Sequence, residues 1–260
     1  MKIVVCIKHV PDVQSERRLE EGRLVRGEED VLNELDENAV EAAVSLVEDL
    51  GGEVIALSMG PEDAEDGVRR ALQMGADSGV VVSDEVLVGA DVPTTARTLA
   101  AAVSKIGGAA TGMGDVDLIV TGMASLDAMT SMLPGALAAA LHVPALTLAS
   151  SLEVSADEAT ITRLTGTVSE VLSAPLPALV SVTDQANEPR YPNFAAMRAA
   201  RKKPVDIWDA TDLGLDISAE PGIAVVDFAE RPARQAGVIR TDSGEAGREL
   251  AVWLVENDLV

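Results

Sequence analysis

The chain has 260 residues, of which 47% are hydrophobic and 2% aromatic, and its formal net charge at pH 7 is −23. This length and apolar content exclude general disorder and allow one α/β domain with an extension. The acidic excess argues against nucleic acid or an anionic membrane as the main ligand, and no apolar run approaches the roughly 20 residues of a membrane span.

Short β-branched runs alternate with amphipathic segments, which predicts a doubly wound α/β fold with a mostly parallel sheet covered on both faces. The predicted strands are residues 3–7, 54–58, 79–83, 118–121 and 178–183. The predicted helices are residues 36–50, 62–74, 92–105 and 133–141. Residues 152–154 and 160–164 flank a polar turn, so a small antiparallel hairpin is expected there.

The first strand carries the single cysteine, Cys6. One cysteine excludes an internal disulfide and fits a reducing cytoplasm. Lys8 and His9 interrupt the apolar run too early for a signal peptide. A cytoplasmic location is therefore expected.

Residues 184–203 combine the only tyrosine, Tyr191, with Phe194 and five basic side chains. Pro189 and Pro192 favour a stiff, extended start, and residues 195–202 are typical of a short basic helix. Exposed aromatic and arginine side chains of this kind dominate protein interfaces, which favours a partner-binding loop. The same segment also fits an ordinary loop whose aromatic residues are buried.

The pattern changes after about residue 210. We expect residues 1–210 to form the α/β domain, including the loop at 184–203, and residues 211–260 to form a C-terminal arm. Within the arm, residues 223–228 predict a short strand and residues 244–257 an amphipathic helix carrying Leu250, Trp253 and Leu254 on one side. Such a tail is more typical of an arm that packs on a partner subunit than of an independent domain.

Three strand-to-helix turns are expected at one edge of the sheet, where backbone N–H groups favour anionic ligands. They follow Cys6, Met59 and Thr121. In the third turn, Thr130 and Ser131 are placed to cap the next helix and to bind a phosphate. The alternative is that these two residues are plain caps and that Asp127 is an exposed turn residue.

The chain carries no recognisable catalytic set. There is no Walker A sequence and no glycine-rich dinucleotide motif after the first strand, and Ser125 lacks the flanking glycines of a nucleophile elbow. His142 falls at the end of an apolar helix, and Cys6 at the end of a buried strand. We expect a protein that is not itself an enzyme and has no metal site.

Five blocks of the sequence resemble the β subunit of electron transfer flavoprotein. They are residues 4–12 (VVCIKHVPD), 33–44 (NELDENAVEAAV), 54–61 (VIALSMGP), 71–77 (ALQMGAD) and 187–191 (NEPRY). The similarity is collinear from Lys2 to about Lys203.

The resemblance implies an adenine-nucleotide alpha-hydrolase-like fold and a heterodimer with an α subunit that holds most of the contacts to the redox FAD. It implies AMP in this subunit, or a second FAD in electron-bifurcating relatives. It also implies electron transfer, as in fatty acid oxidation, from acyl-CoA dehydrogenases and similar flavin dehydrogenases to a membrane quinone oxidoreductase.

The residues implied to bind the nucleotide are Cys6, Asn33, Glu34, Leu35, Asp36, Met59, Gly122, Met123, Ala124, Ser125, Leu126, Asp127, Ala128, Met129, Thr130, Ser131, Met132 and Leu133. Those implied in partner recognition are Tyr191, Phe194, Met197 and Arg198, with Phe194 as the apolar anchor. Ala128, Met129, Met132 and Leu133 replace the polar or glycine residues usual in relatives, so contacts there are expected from the backbone.

A different class of function uses the same fold, namely a stand-alone nucleotide sensor or an ATP-cleaving hydrolase. Such hydrolases need a glycine- and serine-rich phosphate loop after the first strand. Residues 7–11 read IKHVP here, which supplies neither residue type.

Overall fold

The computed structural model describes residues 1–15, 18–20, 22–27, 29–216, 223, 225–229, 231–237, 239, 241, 242 and 244–260. These residues divide into two units, Met1–Val225 and Val226–Val260, and each is described by itself. The strands are β1 (Lys2–Ile7), β2 (His9–Pro11), β3 (Leu19–Glu20), β4 (Arg23–Leu24), β5 (Asp30–Leu32), β6 (Glu53–Met59), β7 (Ser78–Val82), β8 (Leu118–Gly122), β9 (Ala145–Ala149), β10 (Ser151–Val154), β11 (Glu158–Thr165), β12 (Val168–Pro175), β13 (Ala178–Val182) and β14 (Val205–Trp208). The α-helices are α1 (Glu34–Leu50), α2 (Ala64–Met74), α3 (Val92–Ile106), α4 (Leu133–Leu141), α5 (Phe194–Ala200) and α6 (Ala246–Glu256).

The first unit is built on a seven-stranded sheet in the order β14-β7-β6-β1-β8-β13-β9. Every neighbouring pair in this sheet is parallel, which confirms the predicted doubly wound α/β class. From β1 the chain moves to β6 and β7 on one side and then returns to β8 on the other. Folds of this kind bind ligands at the carboxyl ends of the strands where the winding direction changes, here between β1 and β8.

Both faces of the sheet are covered because successive side chains of a strand point in opposite directions. Ile3 and Val5 of β1 join the cluster formed with α1 and α2. Val4 and Cys6 join a second cluster, formed with α3 and α4. A strand buried on both sides needs a continuous apolar sequence, which β1 has in Ile3–Ile7.

The predicted hairpin is part of a three-stranded antiparallel sheet, β10-β11-β12. Its third strand, β12, is mostly exposed and lacks a clear apolar alternation, so the sequence did not indicate it. The edge strands β9 and β14 of the main sheet were not predicted either.

The strand predicted for residues 223–228 is wrong. The described residues of this stretch, 223 and 225–228, have no regular structure, and Ala224 lies outside the described residues. The predicted C-terminal helix is confirmed as α6, and none of its residues is buried. Every described helix is either too short or too polar to cross a lipid bilayer.

Candidate functional site

The ends of three parallel strands lie side by side at the winding change. Cys6 of β1 is in register with Leu57 of β6 and with Thr121 of β8. The turns after Cys6, Met59 and Gly122 therefore share one edge of the sheet, the arrangement that the sequence predicted for them.

Cys6 lies inside this edge rather than on its surface, with an exposed fraction of 5%. Burial raises the pKa of its thiol to about 12, and the nearby Asp36 carboxylate raises it further. The thiol is therefore protonated at neutral pH, and Cys6 packs in the core rather than acting as a nucleophile.

Asn33, just before α1, ties this helix to the third turn. Its Nδ2 donates to the carbonyl of Ala124 at 2.9 Å, and its Oδ1 accepts from the N–H of Leu126 at 3.0 Å. The Asn33 side chain is completely buried. Its amide group therefore fixes the conformation of the third turn. The next two residues, Glu34 and Leu35, are exposed and half-buried, respectively.

Asp36 is the buried carboxylate of the edge. Its Oδ2 accepts from the Lys8 N–H at 2.8 Å. Burial raises the pKa of the Asp36 carboxyl to about 7, and the hydrogen bonds to the carboxyl oppose this only in part. Gly122 faces it so closely that a Cβ there would lie 2.4 Å from Asp36 Oδ1.

Asp127 carries the main ion pair of the third turn. Its side chain is 3% exposed, and Lys8 Nζ donates to it at 2.8 Å. Arg26 Nη2 also pairs with its carboxylate. The alternative of an exposed turn residue is therefore wrong for Asp127. Burial raises the pKa of Asp127, but the Lys8 charge and the hydrogen bonds from Lys8 and Arg26 outweigh burial and lower it to about 2.

Replacing Asp127 by asparagine should lower the free energy of unfolding at pH 7 by about 1–3 kcal/mol, because two partly solvated cations lose their buried anion. A carboxyl whose folded pKa is lowered stabilises the fold above its unfolded pKa and loses this effect as the pH falls through the folded value. The difference in urea unfolding between wild type and D127N should therefore shrink between about pH 4 and pH 2.

Asp115→Asn is the matched control, since Asp115 pairs with Lys2 at 2.9 Å but its side chain is 66% exposed. Its effect should stay below about 1 kcal/mol. A D127N variant as stable as D115N at pH 7 would show that the buried pair does not hold the turn.

The third turn becomes more exposed to solvent from its first to its last residues before α4. Gly122 and Ala124 are buried; Met123, Ser125, Leu126, Asp127 and Leu133 are intermediate; Ala128, Met129, Thr130, Ser131 and Met132 are exposed. Met129 and Ser131 adopt positive φ angles of 50° and 52°, which turn the chain sharply before α4.

The predicted capping of α4 by Thr130 or Ser131 is wrong. The N-cap is Met132, which makes no side-chain hydrogen bond to the helix. The left-handed turn directs the chain so that the two hydroxyl residues precede the cap position. Among the described residues, no side chain accepts from the N–H groups of Leu133 and Gly135 at the start of α4, a property that favours an anion at this end.

A pocket of about 480 Å³ opens at this uncapped helix end. Of the predicted residues, Met123, Ser131 and Met132 line it, with Pro134 and Gly135 of α4 beside them. Its size lies within the range of small-molecule sites. The predicted residues that are buried, by contrast, pack inside the fold. Met59, the last residue of β6, is half-buried and packs against the second core cluster.

A second candidate surface is the loop at residues 184–203, whose base is fixed to α1. Arg190 binds Glu41 through Nε at 2.7 Å and Glu48 through Nη1 at 2.6 Å. Asn38 donates to the Asn187 carbonyl at 3.0 Å, and Asn187 Nδ2 returns a bond to the Asn38 carbonyl.

The charges at this base reinforce one another. The hydrogen bonds from Arg190 lower the pKa of Glu48. For Glu41, burial raises the pKa, but the bonds from Arg190 more than compensate and lower it. The two carboxylates in turn raise the pKa of Arg190.

The tip of this loop is exposed. Tyr191 is 91% and Phe194 78% exposed, and Met197 and Arg198 of α5 are exposed beside them. The alternative of aromatic residues buried in the core is therefore wrong. Asn193 caps α5 by accepting from the Ala196 N–H, so the tip is an ordered structure.

Sequence reasoning missed the residues that hold both surfaces in place. Arg26 and Lys8 were not connected with Asp127, because a charge pair between distant loops leaves no spacing pattern. For Arg190 a signal existed: Glu41 and Glu48 are seven residues apart on α1, two helical turns, and thus lie on one face.

The comparisons with known proteins agree with this architecture. The family model described as the electron transfer flavoprotein domain matches residues 22–213. The chain is 35% identical over 270 aligned positions to the electron transfer flavoprotein subunit beta of Mycobacterium leprae (strain TN), with 99% of each chain covered.

Two further relatives come from other organisms. The subunit CarD of the caffeyl-CoA reductase-Etf complex of Acetobacterium woodii is 33% identical over 264 positions, with 98% of this chain and 97% of the relative covered. The electron transfer flavoprotein subunit beta of Clostridium acetobutylicum is 33% identical over 219 positions, with 83% and 81% covered. Because the family model spans most of the chain and the relatives align over most of their lengths, this chain belongs to the electron transfer flavoprotein family, among its β subunits.

Proposed function

We propose that this chain pairs with an α subunit and moves electrons from acyl-CoA dehydrogenases or similar flavin dehydrogenases to a membrane quinone oxidoreductase, as in fatty acid oxidation. The proposed heterodimer works in the cytoplasm. The chain contributes a docking loop and a nucleotide site and has no catalytic step of its own. The observation that carries the proposal is the exposed aromatic tip at Tyr191 and Phe194 on an anchored base.

An anchored loop suits a docking role because its conformation does not have to be ordered on binding. Arg190 bridges two carboxylates of α1, and Asn193 caps α5, so the tip is held on both sides. Preorganised aromatic and arginine side chains with large exposed areas are the usual centres of binding energy.

AMP is the proposed ligand of this subunit, at the pocket beside α4. The phosphate would lie against the uncapped N–H groups of α4, and Ser131 supplies a hydroxyl there. Met123, Met132 and Pro134 offer apolar contacts, in keeping with a site poor in polar side chains. Asn33 and Asp127 act on this site indirectly, because they hold the third turn.

The redox FAD is proposed to be held mainly by the α subunit, and it supplies the one- and two-electron chemistry of the complex. This chain's part is to position the partner that carries it. The C-terminal arm, residues 211–260, is proposed to pack on that subunit. Leu250 and Trp253, on the apolar side of α6, are each about half exposed, as expected of a helix whose apolar face receives a partner.

A second candidate is the β subunit of an electron-bifurcating flavoprotein, with a second FAD in place of AMP. It is favoured by the similarity to a subunit named for a caffeyl-CoA reductase-Etf complex. The two functions differ in the number of flavins per heterodimer.

Expression of the chain together with its α subunit tests the proposal. We expect a yellow heterodimer that releases one FAD and one AMP on denaturation, measured by chromatography of the extracted nucleotides. Two FAD per heterodimer would replace the first function by the bifurcating one. A colourless homo-oligomer that hydrolyses ATP would overturn both in favour of a stand-alone hydrolase.

A further inference from the structure

Three potential metal ligands meet beside the carboxyl edge of the sheet, outside the residues assigned to the nucleotide or to docking. They are His9 of β2, Asp30 of β5 and Asp63 at the N-cap of α2. One ligand atom from each lies within 4.8 Å of the other two.

The backbone explains why these side chains converge. β2 and β5 are antiparallel, with His9 opposite Leu32 and Pro11 opposite Asp30. His9 and Asp30 are thus diagonal neighbours on one face of the pair. Gly67 of α2 lies against the imidazole: a Cβ built there would lie 3.5 Å from His9 Cβ. The first turns of α2 therefore lie against His9, which places Asp63, at the start of this helix, near the imidazole.

Two of the three groups have buried atoms with unmet hydrogen-bonding capacity. His9 Nδ1 and Asp63 Oδ1 are both inaccessible to solvent, and no described group forms a hydrogen bond to either. More than about nine in ten buried polar atoms in proteins have such a partner, so two unpaired atoms in one cluster call for an explanation. A cation bound between them satisfies both at once.

We propose that His9, Asp30 and Asp63 bind a divalent transition metal ion, with Zn²⁺ as the preferred ion. One imidazole nitrogen and two carboxylate oxygens are ordinary zinc ligands, whereas Mg²⁺ favours an octahedral shell of oxygens. With metal–ligand bonds of about 2.0–2.1 Å, tetrahedral ligands are about 3.4 Å apart. The ligand atoms, which lie within 4.8 Å of one another, therefore need to approach each other by at most about 1.4 Å, and solvent completes the shell.

Such an ion would join the β2–β5 pair to α2. The carbonyl of His9 also accepts from Arg26 Nη1 at 3.2 Å, and Arg26 pairs with Asp127 of the third turn. Arg26 thus connects the proposed metal site with the ion pair that holds the third turn, next to the candidate nucleotide site. Because the ion binds the folded chain, it should raise the temperature of unfolding.

The test uses the full chain without a polyhistidine tag, freed of metal with a chelator and titrated with ZnCl₂ in a calorimeter. We expect one Zn²⁺ per chain and a higher unfolding temperature in its presence. His9→Gln and Asp63→Asn should each weaken binding at least about ten-fold, since even changes to groups behind the ligands have effects of this size. Binding of Co²⁺ should give a visible d–d band that the same variants lose, and Mg²⁺ should not compete.

The control is His142→Asn, which removes the only other histidine of the chain. His142 has a φ of 60°, a conformation that asparagine tolerates, so the fold should persist and Zn²⁺ binding should be unchanged. Circular dichroism verifies the folding of each variant, and D63N decides the matter if H9Q does not fold. No saturable binding by wild type, or equal binding by folded H9Q or D63N, would overturn the proposal.

Discussion

Replacing Phe194 by alanine is expected to slow electron transfer from the donor dehydrogenase on the order of 30-fold at limiting concentrations of the heterodimer. The side chain is 78% exposed at the tip of the anchored loop, so its apolar area is free to be buried against a partner. Loss of a central aromatic contact typically weakens an interface by about 2 kcal/mol, which corresponds to that factor. The rate is measured by following flavin reduction with a donor dehydrogenase.

The same variant should keep the unfolding temperature of wild type, because an exposed ring contributes little to the core. Val86→Ala is the matched control, since Val86 is an apolar side chain exposed to 55% in the short 3₁₀ helix Glu85–Leu87, away from the loop. It should leave the rate unchanged. Equal rates for F194A and wild type would remove this loop from the docking mechanism.

Replacing Gly122 by alanine should destabilise the folded chain by about 3 kcal/mol or more. An added Cβ would lie 2.4 Å from Asp36 Oδ1 and 2.6 Å from the carbonyl oxygen of Leu35. Neither atom can move freely, because the Asp36 carboxylate also accepts from the Lys8 N–H and the Leu35 carbonyl belongs to α1. Urea unfolding followed by circular dichroism measures the loss.

Gly135→Ala provides a control of opposite sign. Gly135 lies in the first turn of α4, and a Cβ there meets no atom within 4 Å. Alanine should stabilise this helix by roughly 0.5–1 kcal/mol, because glycine loses more backbone entropy on folding. If G122A were as stable as wild type, the packing of β8 against the start of α1 would have to be looser than the distances indicate.

The central part of the fold was predictable from the sequence because its elements are buried and their patterns are local. The apolar run of β1 and the alanine-rich α4 were predicted within one residue of their observed bounds. The edge strands β9 and β14 were not, because strands with one exposed side carry a weaker apolar signal. Their place in the sheet depends on neighbours far away in the chain.

The candidate site was predictable at the level of turns but not of contacts. The sequence located the three turns and the aromatic–basic loop, since glycine, proline and aromatic residues mark them, but it left open whether the aromatic side chains are buried or exposed. It predicted Thr130 and Ser131 as caps of α4, whereas the N-cap is Met132. It also kept the alternative that Asp127 is an exposed turn residue. The left-handed backbone at Met129 and Ser131 and the approach of Lys8 and Arg26 account for both differences.

The amino-acid sequence by itself determined that this chain forms a doubly covered parallel sheet and belongs to a family of electron carriers, because periodicity and collinear motifs are properties of the chain alone. Only the tertiary structure decided that Arg190 is held by Glu41 and Glu48, that Asp127 is buried between two cations, and that His9 meets Asp30 and Asp63. These contacts join residues far apart in the chain, and their energies depend on burial and distance, which no local pattern specifies.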